Sequence, residues 1–269
     1  MAAAIGLVLA VGGALLIEFL DDTVKTPDDL QRTAQLTTLG TISRVAGGED
    51  KYRLIPAEEP LSHVAEAYRA LRTNIRLSSV DEPIRTLIVT SPSPREGKST
   101  TAANLGVVVA QAGKSVILVD ADLRRSSLHR FFALPSKEGL TNVLVQDELA
   151  VDGWLQETGI DNLRVLTSGP LPPDPADLLG SKRMHHLIEC LEHEADLIIF
   201  DTPPTIPVSD ATVLALEADA VLLVVEAGRT RRGAIRRTME DLQRAGAHVL
   251  GAVLNRVTSR PSKGYYYYE

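Results

Sequence analysis

The sequence predicts an α/β domain built on a doubly wound, mostly parallel sheet. Three observations predict it. From Thr86 onward, segments such as "TLIVTS", "SVILVDAD", "LIIFDTPP" and "AVLLVVEAG" are β-rich and apolar nearly throughout. That is the pattern of parallel strands covered on both faces. "LRVLTSG" and "HVLGAVLNRV" read as two more strands, with helical stretches between them at 98–112, 182–194, 210–217 and 231–245. Strand-helix alternation of this kind places every strand's C-terminal end on one edge, where ligands bind. Finally, the run "GKST" at 97–100 opens a helix directly after the first of these strands.

Taken in order, the chain begins with an uncharged run from Met1 to Ile17, which Phe19 and Leu20 extend past Glu18. A membrane span needs about 20 apolar residues. A buried helix of a soluble protein is the other reading. Three glycines and the lack of a polar face favour a membrane helix over residues 1–20. No basic stretch precedes it, as a signal peptide would require. Lys25 and Arg32 follow it, which places the remainder in the cytoplasm at the plasma (inner) membrane. Thr26, Pro27, Asp28 and Asp29 have the chemistry of a helix start, so a short juxtamembrane helix comes next. Residues 40–60, rich in Gly, Pro and charge, read as a linker that closes a 21–60 segment. The main domain then runs over 61–257. Its first helix, 61–79, carries an apolar stripe of Val64, Tyr68, Leu71 and Ile75, with Glu66, Arg69, Arg72 and Arg76 in an adjacent sector.

Composition narrows the function. The chain of 269 residues is 44% hydrophobic and 23% charged, with a net charge of −7, so nucleic acid is not an expected partner. A single Cys190 leaves no disulfide within the chain, and the six histidines show no metal spacing.

The phosphate chemistry is more specific. After a strand and a tight loop, Gly97 lets the backbone approach phosphate, and the amides around Gly97 to Thr100 face it at the positive end of a helix. Lys98 is placed to reach the β- and γ-phosphates, and Ser99 to ligate Mg²⁺. The first glycine of the common phosphate-loop pattern falls on Pro92 here, so this loop must differ from that pattern. Asp120, Asp122 and Asp201 end two further strands on the same edge. Three carboxylates beside a phosphate loop need a cation, and Mg²⁺ held by Ser99, Asp120 and Asp201 supplies it. Asp122 has the alternative role of a local cap. No N-K-x-D guanine signature is present, so ATP is the expected nucleotide.

These segments, with "EAYRALRTNI", "LPPDPADLLGS", "SDA", "LNRV" and a run of four tyrosines, resemble the bacterial tyrosine kinases of capsule and exopolysaccharide synthesis. The resemblance covers nearly the whole chain. It implies a P-loop kinase domain that follows the last membrane helix of a polysaccharide chain-length regulator, whose earlier part is absent from this sequence. It implies catalytic roles for Lys98, Asp120, Asp122 and Asp201, with Asp122 or Asp120 orienting the acceptor hydroxyl. It extends the nucleotide-binding set to Glu96, Gly97, Lys98, Ser99, Thr100 and Asn255, the last meeting adenine. It makes Glu66, Arg69 and Arg72 an oligomer contact in a homo-oligomeric ring; the bland alternative is a solvated helix face. A membrane transmitter or adaptor and polysaccharide synthesis proteins are the implied partners. Arg124 and Arg125 would hold phosphate, or are simply exposed.

The tail, 258–269, is the strongest discriminator. A polar tether from Thr258 to Gly264 spans about 25 Å when extended and leads to Tyr265, Tyr266, Tyr267 and Tyr268. One surface cannot bury four consecutive side chains. They read as phosphoacceptors delivered to a nucleotide site, and the family resemblance implies that the site is a neighbour's. The rival class, partition or septum-positioning ATPases, lacks such a tail and carries a lysine where Ser93 stands.

Overall fold

The computed structural model describes residues 21–45, 52–79, 83–146, 151 and 153–258, together with Gly12. The expected membrane helix and the tyrosine tail lie outside these residues. Among the described residues no helix is long and apolar enough to cross a membrane.

The elements follow in chain order. Helix α1 is Pro27–Ala34, strand β1 is Thr38–Ser43, and helices α2 and α3 are Ile55–Glu58 and His63–Leu77. Strand β2 is Thr86–Thr90, α4 is Lys98–Ala110 and β3 is Val116–Asp120. Short helices α5 (Leu128–Phe131) and α6 (Leu140–Val145) precede β4 (Gln156–Glu157) and β5 (Leu163–Leu166). Then come α7 (Pro175–Leu179), α8 (Lys182–Glu194), β6 (Leu197–Asp201), α9 (Asp210–Leu214), β7 (Ala220–Glu226), α10 (Arg232–Arg244) and β8 (Val249–Val257).

The sheet order is β1-β8-β7-β2-β6-β3-β5-β4. All neighbours are parallel except β4, which runs antiparallel to β5. The apolar runs explain the two-sided burial. In β2, Leu87 and Val89 join the core on the α3/α4 face, while Ile88 joins the opposite face with Leu187 and Leu191 of α8. Strand β3 alternates likewise, with Val116 and Leu118 on the first face and Ile117 and Val119 on the second. A third cluster packs α1 and α10 against β7 and β8 through Leu30, Ile235, Leu223 and Leu254.

The linker expectation for 40–60 needs correction. Thr38–Ser43 is a strand of the same sheet, parallel to β8, and Ile55–Glu58 is a helical turn. Leu39 and Ile42 are its buried apolar residues, three apart, and register irregularities flank Gly40 and Ser43. An irregular edge strand leaves no period-2 pattern in sequence. The segment 21–45 is therefore part of the domain rather than a tether to it. Helix α1 keeps its expected start: Thr26 and Asp29 form a reciprocal capping box, with Pro27 in the first turn.

Candidate active site

The ends of β2, β3 and β6 meet at one edge of the sheet, and the loop from Ser91 to Gly97 joins β2 to α4 there. Without a glycine at position 92, the loop is shaped by other means. Arg95 and Gly97 both take left-handed backbone angles, φ 69° and 96°. The Glu96 carboxylate is buried and turned back into the loop, where it accepts the Ser93 amide at 3.0 Å and the Thr230 hydroxyl at 2.6 Å. Asn255 Nδ2 donates to the Glu96 carbonyl at 2.8 Å. Glu96 and Asn255 thus hold the loop's shape, and neither side chain is free for adenine or phosphate in this arrangement.

Gly97 is required twice over. Its φ suits only glycine well, and a Cβ there would collide with Asn255 Nδ2. Gly97→Ala is expected to displace Asn255 and weaken nucleotide binding by about 10-fold or more, since the substitution costs about 1–3 kcal/mol in backbone strain and a lost buried hydrogen bond. Titration with a fluorescent ATP analogue measures it; unchanged affinity would show that the Asn255 clamp is dispensable.

The acidic residues converge as the strand ends demand. Lys98 Nζ lies 2.7 Å from Asp122 Oδ2 and 3.4 Å from Asp201 Oδ1, and 3.3 Å from Ser99 Oγ. Asp120 pairs directly across the sheet with Asp201. Its Oδ2 accepts the Ser127 and Leu128 amides, each at 2.9 Å. Asp122 takes the cap role, its Oδ1 accepting the Arg125 amide at 3.0 Å, while its Oδ2 holds Lys98. Thr100 stands half-buried on the first turn of α4.

The electrostatics are those of a site built for a cation. Asp120 and Asp201 are both fully buried. Burial raises the Asp120 carboxyl to about 8, and the neighbouring Asp201 adds to the rise. Burial raises Asp201 as well, although Lys98 opposes it. Burial alone would lower the Lys98 ammonium, but Asp201 and Asp122 outweigh it and keep Lys98 above its usual range. Asp120 Oδ1 and Asp201 Oδ2 are buried with no hydrogen-bond partner in the chain. Two orphaned carboxylate oxygens, beside a hydroxyl at the start of a helix, fit a hard divalent cation with oxygen ligands.

Two features of this edge carried no independent signal in the sequence. Arg124, in the loop after β3, forms a two-pronged ion pair with Asp210 at the head of α9, with contacts of 2.8 and 3.1 Å. Thr230, in the turn after β7, holds Glu96. Neither pairing shows as a motif, because its members lie 86 and 134 residues apart. The helix proposed for oligomer contact is more divided than its spacing suggests. Glu66 and Arg69 pair with each other at 2.9 Å on the surface, but Arg72 turns inward and donates to the Val108 carbonyl of α4 at 2.7 Å.

Comparison with known proteins decides the family. A family model described as an AAA domain matches residues 96–248. The tyrosine-protein kinase YwqD of Bacillus subtilis is 42% identical over 222 residues, covering 82% of this chain and 93% of YwqD. The chain belongs to the bacterial tyrosine-protein kinases. Among solved structures, the kinase domain of Escherichia coli tyrosine kinase ETK superposes with a TM-score of 0.81 at 31% identity, over 91% of this chain and all of that one. The septum site-determining protein MinD of Pyrococcus horikoshii, solved with Mg-ADP, reaches 0.54 at 25% identity over 64% of this chain and 70% of its own. The kinase family therefore accounts for more of this molecule than the septum ATPases do.

Proposed function

We propose that this chain is an ATP-dependent protein-tyrosine autokinase that phosphorylates its own tyrosines, Tyr265 to Tyr268, from a neighbouring subunit's site in a ring. The observation that carries the reading is the buried Asp120–Asp201 pair with two unpartnered oxygens, closed by Lys98, at the mouth of a phosphate loop. Ser99, Asp120 and Asp201 would hold Mg²⁺, which supplies charge neutralisation on the phosphates. Lys98 would give up Asp122 and Asp201 for the nucleotide's phosphate oxygens. Asp120 is pinned by two amides, whereas Asp122 is freed when Lys98 moves. Asp122 then orients the tyrosine hydroxyl and takes its proton as the phenol oxygen bonds to the γ-phosphorus and ADP leaves. The phenol has a pKa of about 10, so positioning at this site matters more than base strength.

In this reading residues 1–20 anchor the kinase at the membrane, facing the cytoplasm. Exposed Glu66 and Leu61, with half-buried Arg69, supply the ring contact. The activity governs export and polymerisation of a capsular or exopolysaccharide, with a membrane adaptor as activator. The test is intact-mass and tail-peptide mass spectrometry after incubation with MgATP, with and without a membrane extract. Phosphate on Tyr265 to Tyr268, absent when all four are changed to phenylalanine, is the expected result. ATP hydrolysis with an unmodified tail, even with extract, would make the chain an ATPase switch instead.

A further inference from the structure

The phosphate loop is not self-supporting. Glu96 is the residue immediately before the Gly97–Lys98 step, and its carboxylate is 1% exposed. One oxygen accepts Ser93 N, which closes the turn that a glycine would otherwise make. The other is held at 2.6 Å by the hydroxyl of Thr230. Thr230 belongs to a different part of the chain, the turn between β7 and α10, and is 2% exposed. Its hydroxyl is engaged both ways: it accepts the Glu226 amide at 3.0 Å and donates its single proton to Glu96.

Thr230 is itself fixed. Its amide donates to the Glu226 carbonyl at 3.1 Å, and its carbonyl accepts the amide of buried Val24 at 2.9 Å. The Gly228 amide returns a bond to the Val24 carbonyl at 2.8 Å. Glu226, the carboxylate beside this turn, is satisfied separately by Arg229 and Arg256, each at 3.0 Å. Arg256 also donates to the Arg95 carbonyl at 2.8 Å. So the loop is gripped on the side away from Asp120 and Asp201, and among the described residues the Thr230 hydroxyl is the group outside the loop that hydrogen-bonds the Glu96 side chain.

We infer that Thr230 is a positioning residue for nucleotide binding, acting through Glu96 to set the backbone amides of the phosphate loop. Glu96 already holds the Ser93 amide at 3.0 Å, so a carboxyl that shifts when it loses the Thr230 hydroxyl moves the loop with it, and the direction of the loop's amides toward phosphate is what binding requires. The inference rests on the kinase reading of the site.

Thr230→Val keeps the side chain's shape and removes only the hydroxyl, while Thr230→Ser keeps the hydroxyl. The experiment titrates a fluorescent ATP analogue with Mg²⁺ into wild type and both variants, with the folded fraction of each fixed by urea unfolding. MgATP KM and kcat for phosphorylation are measured in parallel. Thr230→Val is expected to bind about 10-fold more weakly and to raise KM more than it lowers kcat, while Thr230→Ser stays within about 2-fold of wild type, the size of one charged hydrogen bond. If Thr230→Val loses stability but its folded fraction binds like wild type, Thr230 is a structural residue only and the inference falls. If both variants weaken binding equally, the hydroxyl is not the cause and the inference falls too. Failure of the wild type to bind any nucleotide would overturn the kinase reading along with it.

Discussion

Lys98→Met abolishes tyrosine phosphorylation and destabilises the nucleotide-free chain, and the destabilisation grows with pH. Methionine fills nearly the same volume, so the loss is electrostatic. Removing a preorganised charge from a transfer site costs about 10²–10³-fold in rate, which in an assay by phosphotyrosine mass leaves no visible product. Stability is affected for a different reason. Lys98 sits between Asp122 and Asp201, with side-chain exposures of 10%, 5% and 0%. Breaking a buried pair by deleting one partner costs about 3–5 kcal/mol when the remaining charge stays ionised. These carboxyls can instead take up a proton. Asp120 in the folded chain is at about 8 against an ordinary 3.8, and Asp201 is raised too. Groups with raised folded values hold more protons folded than unfolded, so their contribution is full below about 3.8 and is lost as pH rises through about 8. Without Lys98 to hold them down, they rise further. The gap between wild type and Lys98→Met is therefore small near pH 6 and larger near pH 9, because it opens only as pH rises past about 8, where wild type gives up the Asp120 proton that the variant keeps. Urea unfolding with a chelator present at both pH values measures it. An equal gap at both would mean that the lysine is not what compensates these carboxyls.

The same residues show why much of this site could be read before the fold was known. Asp120 and Asp201 each end an apolar run, "VILVD" and "LIIFD", and a parallel sheet sends such ends to one edge whatever the strand order. Lys98 and Ser99 follow a strand directly, so their position at a helix start was also local information. What escaped was either irregular or long-range. Strand β1 lacks alternation because its pairing is bulged at the sheet's edge. Arg72 shares the helical spacing of Glu66 and Arg69, yet only packing against α4 decides that it points inward. Asn255 lies at the end of β8 on the nucleotide edge, but its amide serves the Glu96 carbonyl. That choice depends on the left-handed turn at Arg95 and Gly97, which a missing glycine at 92 hints at without specifying.

Arg124 separates two readings of the loop that carries Asp120 and Asp122. As an exposed phosphate binder, it could be removed with little effect on stability. The structure gives it another partner: Asp210 is fully buried, and both its oxygens are held by the one guanidinium. Arg124 itself is 39% exposed, so its own loss from water is modest, and the cost of deleting it falls on Asp210. Arg124→Ala is expected to destabilise by about 2–3 kcal/mol, the penalty for a buried charged group left without its hydrogen bonds. Arg124→Lys recovers only part, because an ammonium cannot engage both oxygens in one plane. Asp210→Asn in the Arg124→Ala background removes the stranded charge, so the double variant is expected to be more stable than Arg124→Ala alone. A double-mutant cycle by urea unfolding reads this coupling directly. The pair ties the loop after β3 to the head of α9, and hence Asp122, which we propose orients the acceptor, to the segment that follows Asp201. Additive effects in the cycle would release Arg124 from that tie and return it to the surface, where weaker binding of a phosphorylated tail would be its only consequence.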